Sequence, residues 1–153
     1  MFAANWRNHS CYRVPTVVTT NNGTIIIMVE SRRTSCDDQS PKDIEMSRSH
    51  DGGRSWELPT VVFGDLTGDT TFRNPYLTVV ANKAGQEGIV LQFVNSTVAE
   101  PWTTLQMTST DVGNTWTDAR AVRMRAYYTC SYYPLAWQMT AVVRLTSGAG
   151  MEP

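Results

Sequence analysis

Three groups of charged residues stand where strands begin or end, positions from which a side chain can act on a ligand. Arg13 lies between Tyr12 and Val14-Pro15, at the head of a Val/Thr-rich run. A guanidinium there is either an ordinary surface charge or a planar fork aimed at a carboxylate. Arg32-Arg33 ends the most apolar run of the chain. That pair is either solvated on a loop or placed on the rim of a cleft. Asp37-Asp38 follows on the next loop. Two carboxylates near two arginines are either charge balance or the setting of a general acid whose pKa its neighbours tune. The residues alone leave both readings open.

These side chains need elements to position them. Runs at 13–20, 24–30, 44–49, 56–63, 76–80, 88–94 and 104–110 are rich in Val, Ile, Thr and aromatic residues or alternate apolar with polar. Turn residues separate them, as at 21–23 and 51–53. This is the texture of short strands, and no helical period runs through residues 1–118. The expected class is all-β: a sandwich, a barrel or a propeller.

An internal repeat chooses among these. Ser49, Asp51, Gly53 and Trp56 fit S-x-D-x-G-x-[ST]-W, and Ser109, Asp111, Gly113 and Trp116 fit it again sixty residues later. Each copy follows an alternating strand, and an apolar strand precedes that one. Repeated four-strand units indicate propeller blades. An Asp at the head of a turn can accept backbone N–H bonds, a Gly can take positive φ, and a Trp can bury its ring over the turn. A structural lock is therefore favoured over chemistry, since neither copy has the further carboxylates of a Ca²⁺ loop.

Composition sets the outer bounds. The chain has 153 residues, 41% hydrophobic and 18% charged, with a net charge of −1. That suits one folded domain and gives no basic face for nucleic acid. No run is long enough for a transmembrane helix. Three Cys (Cys11, Cys36, Cys130) and two His show no zinc spacing, so no metal is expected. One disulfide with a free thiol is open, but plain core or surface Cys are favoured. The sequons at Asn8, Asn22 and Asn95 would take N-glycans in a secretory setting. The start shows no apolar leader, so no signal peptide is expected in this chain. After Asp118 the texture changes. Residues 119–151 carry Arg120, Arg123, Arg125 and Arg144 but no Asp, Glu or Lys. The expected division is a lead at 1–11, two blades at 12–118, and an atypical tail at 119–153 that is either an edge strand, a disordered tail or a stretch not native to the fold.

The spacing of the chemical residues resembles that of a known family. "YRVPTV" is similar to the YRIP or FRIP motif of sialidases. A second Arg follows nineteen residues on, in the setting Glu30-Ser31-Arg32, an Asp six further at Asp38, and the first Asp box thirteen further at Asp51. The resemblance covers residues 12–118 and is nearest to the animal lysosomal-type and bacterial enzymes. It implies a six-bladed β-propeller, of which about sixty residues per blade leaves about two here. It implies that Arg13 binds the sialic acid carboxylate as one of three arginines. Arg32, with Arg33 as neighbour alternative, would contact the sugar near its 4-position. Asp38, with Asp37 as register alternative, would be the general acid/base.

The implied reaction is exo-hydrolysis of terminal α-linked sialic acid with retention, through a Tyr nucleophile paired with a Glu. No cofactor is implied, and the partner is a sialylated glycan. The implied location is the lysosomal lumen, a membrane-associated site or the extracellular space. Tyr127, Tyr128, Tyr132 and Tyr133 match the nucleophile by residue type only, and none is assigned. The chain is expected to be a truncated piece, inactive alone. The alternatives are a non-catalytic Asp-box propeller binding glycans or proteins, and a degenerate product without function.

Overall fold

The computed structural model describes residues 2–64, 71–96 and 102–122. Among them are eight strands and no helix. β1 (Cys11–Thr19), β2 (Ile25–Arg32), β3 (Lys42–Ser49) and β4 (Thr60–Phe63) form one antiparallel meander. β5 (Thr71–Ala81), β6 (Glu87–Ser96), β7 (Thr103–Ser109) and β8 (Arg120–Ala121) form a second. A single parallel bridge, Lys42 to Thr71, joins β3 to β5. Two four-stranded meanders in tandem are the building units of a β-propeller. β8 lies two residues past the expected boundary at 118, and nearly all of the atypical tail falls outside the described residues.

The two meanders are copies. Thr16 pairs with Met28 and Met28 with Met46, while Tyr76 pairs with Gln92 and Gln92 with Gln106. β1 thus maps onto β5 and β3 onto β7 at an offset of sixty, and β2 onto β6 at sixty-four. Their facing sides make the core. Ile26, Met28, Ile44 and Met46 meet Phe72, Leu77, Ile89, Leu91, Phe93 and Met107. Phe63 seals it, its ring 4.8 Å from those of both Phe72 and Phe93. The period-2 alternation of β2 and β6 sends these side chains to one face.

The first meander has a polar second face. Ser31, Asp43, Glu45 and Ser47 are buried there. The N-terminal residues reach into it. The Tyr12 hydroxyl donates to the Trp6 carbonyl, and His9 Nε2 stands 3.4 Å from Glu45 Oε1. Asn8 and Asn22 are exposed on turns, whereas Asn95 sits half-buried in β6 with its Oδ1 enclosed.

The repeated turns are hydrogen-bond locks. Ser49 Oγ donates to Asp51 Oδ1 (2.8 Å) and accepts from Gly53 N–H (2.8 Å). Asp51 also accepts from the Ser55 amide (2.9 Å) and hydroxyl (2.6 Å). Ser109, Asp111, Gly113 and Thr115 repeat all four bonds at the same lengths. Asp therefore grips the residue four positions on, not the turn amide beside it. Gly53 and Gly113 stand at φ 89° and 81°, where a Cβ would be strained. Trp56 Nε1 donates to the Gly53 carbonyl (3.0 Å); the Trp116 ring packs on the core with its Nε1 buried and unpartnered. Arg48 links the two units, donating to the Val112 carbonyl and to Asn114 Oδ1 (2.8 Å).

Candidate active site

Arg13 stands beside a bulge. The β1 register shifts between Arg13 and Thr16, Val14 has φ 52°, and Pro15 follows. A β-branched residue at positive φ is strained, and such strain with a bulge re-aims a side chain. Arg13 is exposed. β5 repeats the device: its register shifts between Arg73 and Tyr76, and Asn74 has φ 52° before Pro75. Arg13-x-Pro15 and Arg73-x-Pro75 are thus equivalent features of the two units, a signal present in the sequence at the same sixty-residue offset.

Arg32 closes β2, buried to 2% exposure. Its Nη2 lies 2.8 Å from Glu30 Oε2 and 2.8 Å from Asp38 Oδ1, and its Nη1 donates to the Cys36 carbonyl. Burial works against its charge, but the hydrogen bonds and charges of Glu30 and Asp38 outweigh that and hold its pKa above the ordinary value. Glu30 is a hub. Its other oxygen accepts the Asn74 N–H (2.9 Å), so it ties Arg32 to the β5 bulge.

Asp38 lies on the loop between β2 and β3 with its side chain 73% exposed. The Arg32 hydrogen bond, then the Arg32 charge, hold its carboxyl below the usual range, with Lys42 and Arg13 adding to the effect. The loop is ordered by its own bonds. Ser40 Oγ accepts the Thr34 and Ser35 amides (3.3 Å each), and Ser40 N–H donates to the Asp37 carbonyl (3.0 Å). A disulfide between Cys11 and Cys36, with Cα atoms 5.3 Å apart, pins the loop to the start of β1. That corrects the expectation of plain cysteines; the partners are 25 residues apart and only the β1–β2 pairing brings them together.

The alternatives point elsewhere. Arg33 Nη1 lies 3.7 Å from Asp43 Oδ2, on the opposite face. Asp37 accepts from Ser35 Oγ (3.1 Å) and is exposed. Arg32 and Asp38 are brought together, with Arg13 near enough to act on Asp38 by charge. Sequence reasoning missed the buried Lys42, the role of Glu30, and Arg73, whose Nη2 donates to Gln39 Oε1 (2.9 Å) beside Asp38. The guanidinium of Arg73 also lies over the Trp102 ring at 5.5 Å. Arg13, Arg32, Lys42 and Arg73 against Glu30 and Asp38 leave two net positive charges in the surroundings of the Arg32–Asp38 pair, which favours an anionic ligand.

Tyr12 takes no part. Neighbouring strand residues point to opposite faces, and burial first, then Glu45, push its phenol up to about 12. Tyr127, Tyr128, Tyr132 and Tyr133, like Cys130, lie outside the described residues. Among the described residues no group of His, Cys, Asp and Glu gathers to hold a metal ion, and no helix is long and apolar enough to cross a membrane.

Comparison with known proteins places the chain by overall similarity. No family model matches the chain. A curated sialidase of Bacteroides fragilis (strain YCH46) is 42% identical over 65 residues, 40% of this chain. A sialidase of Paraclostridium sordellii is 26% identical over 123 residues, 74% of this chain. The chain spans 12% and 30% of the lengths of these relatives. Among solved structures, the Hadza microbial sialidase Hz136 matches 78% of this chain with a TM-score of 0.67 at 23% identity, 27% of its own length being covered. The NanB sialidase of Streptococcus pneumoniae matches 80% with a TM-score of 0.62 at 10% identity, 37% of its length being covered. By fold and by sequence the chain is similar to the sialidases, and it carries part of a sialidase-like β-propeller.

Proposed function

We propose that this chain supplies the acid/base corner of an exo-α-sialidase, a retaining glycoside hydrolase that removes terminal α-linked sialic acid from glycoproteins, glycolipids or oligosaccharides. The observation that carries the reading is the Arg32–Asp38 pair at 2.8 Å on a pinned loop, among cationic neighbours. Arg13 takes the sugar carboxylate, Arg32 the 4-position, and Asp38 protonates the leaving oxygen and then activates water. A neutral phenol suits this substrate as nucleophile, because an attacking carboxylate would meet the charge beside the anomeric carbon. A structurally similar Trypanosoma rangeli sialidase (TM-score 0.53) is solved with 2,3-difluorosialic acid as a covalent intermediate, in keeping with retention. The repeated turns act as Asp boxes that hold the blades and leave the chemistry to the loop. The disulfide fits an oxidising setting, such as a lysosomal or extracellular one, which is also where N-glycans on exposed Asn8 and Asn22 would be found.

The experiment is a chimaera in which residues 12–118 replace the matching part of the Paraclostridium sordellii relative. It is expected to hydrolyse a fluorogenic α-sialoside. Asp38→Asn lowers kcat about 10²–10⁴-fold on natural sialosides, and less on aryl sialosides, whose leaving group needs little protonation. A folded, active chimaera indifferent to Asp38→Asn contradicts the reading. A chimaera that binds glycans without turnover favours the non-catalytic propeller instead.

A further inference from the structure

We propose that Lys42 is the positioning residue of Asp38: its buried ammonium holds the Asp38 carbonyl and so fixes the loop that carries the acid/base carboxylate. The proposal rests on the acid/base reading of Asp38. Lys42 is the first residue of β3 and is 1% exposed. It is held on both sides, opposite Arg32 in the antiparallel register and bridged to Thr71 of β5. Its Nζ donates to the Asp38 carbonyl at 2.8 Å and lies 3.6 Å from Glu30 Oε2.

The placement has a logic. The loop leaves the sheet at Arg32 and returns at Lys42, and the side chains at both ends turn back onto the same residue. Arg32 takes the Asp38 carboxylate, and Lys42 takes its backbone oxygen. One contact alone would leave either the backbone or the side chain free to turn; two fix both. A buried ammonium is costly, and an apolar side chain would serve the packing better. The cost is visible in Lys42 itself. Burial first, then the Arg32 and Arg73 charges, lower its pKa against the opposing pull of Glu30 and Asp38. The charged groups facing it are Glu30, Arg32, Arg73 and Asp38, and Arg13 acts on Asp38 by charge. The Lys42 charge also adds to the larger effect of Arg32 in disfavouring a proton on Asp38, so the residue holds the backbone of Asp38 and contributes to when its carboxyl titrates.

The test uses the whole chain, isotopically labelled. In Lys42→Met the Asp38 titration midpoint rises, while Arg32 still holds it below the ordinary aspartate value. The amides of residues 37–39 exchange about tenfold faster or more, while the Gly53 and Gly113 amides keep their protection. Lys42→Arg, which keeps the charge, restores the midpoint. An unchanged midpoint and unchanged exchange in a folded Lys42→Met overturn the proposal. Should Lys42→Met fail to fold, the unmutated chain still decides. It has only two lysines, and the exposed Lys83 is the internal control. The Lys42 ammonium protons are expected to exchange slowly and to couple to the Asp38 carbonyl; exchange as fast as at Lys83 overturns the proposal. Failure of the acid/base reading looks different. Turnover of the chimaera then ignores Asp38→Asn while the Lys42 signals stay in place.

Discussion

Asp51 and Asp111 carry the clearest pH signature. Their neighbours' hydroxyl and amide bonds, Ser55 and Thr115 first, hold both carboxyls down at about 2. An unfolded aspartate titrates at about 3.9. On acidification the unfolded chain therefore takes up protons first. The stabilisation is full above about pH 4 and is lost as pH falls through about 2. Trp56 and Trp116 fluorescence followed in acid should report cooperative loosening in that window, shifted upward in Asp51→Asn and Asp111→Asn. Loosening that begins well above pH 4 in the unsubstituted chain would contradict the assignment. Much of this scale was legible in the sequence. The resemblance proposes Arg32 and Asp38 ahead of Arg33 and Asp37, and the structure pairs Arg32 with Asp38 but Arg33 with Asp43. Glu30 and Lys42 were not legible as partners, because only the β2–β3 register places them under one loop.

The strands and the loop between them carry the packing and the order of the site. Phe93 is 1% exposed and meets Phe63 and Phe72 between the two meanders. Phe93→Ala should cost about 3–5 kcal/mol, read as a fall in Tm, whereas Phe93→Leu should cost far less. Opening the Cys11–Cys36 bridge, by reduction or by paired Ser substitutions, should cost about 3 kcal/mol for a loop of this length. Amide exchange in the 33–41 loop should then quicken before that of β2 and β3. Most strands were visible as Val/Ile/Thr runs. The start of β5 was not, since Pro75 breaks the pattern and the chain crosses that break as a bulge rather than a turn. The disulfide was also hidden, because Cys36 sits on a loop whose path depends on the strands around it.

At the scale of the molecule, two four-stranded meanders pack around one core. Exposed Val17, Tyr76 and Val80 on β1 and β5 fit strands that line a larger assembly. Among the described residues, Arg32 pairs with Asp38, and Arg13 acts on Asp38 by charge. The 153-residue chain spans 12% and 30% of its sialidase relatives, and assayed alone on a fluorogenic sialoside it should show no hydrolysis above buffer. The propeller itself was legible through the sixty-residue repeat, because each of the two blades must solve the same turn and core problem. The most direct test of the central claim is binding, since it needs neither nucleophile nor turnover. The labelled chain is titrated with a dehydrated sialic acid analogue while the Arg13 and Arg32 guanidinium and Asp38 carboxyl signals are followed. Saturable shifts at all three, lost in Arg13→Ala and absent with a neutral sugar, are the predicted result. Shifts elsewhere on the fold, or none at these residues, would contradict it.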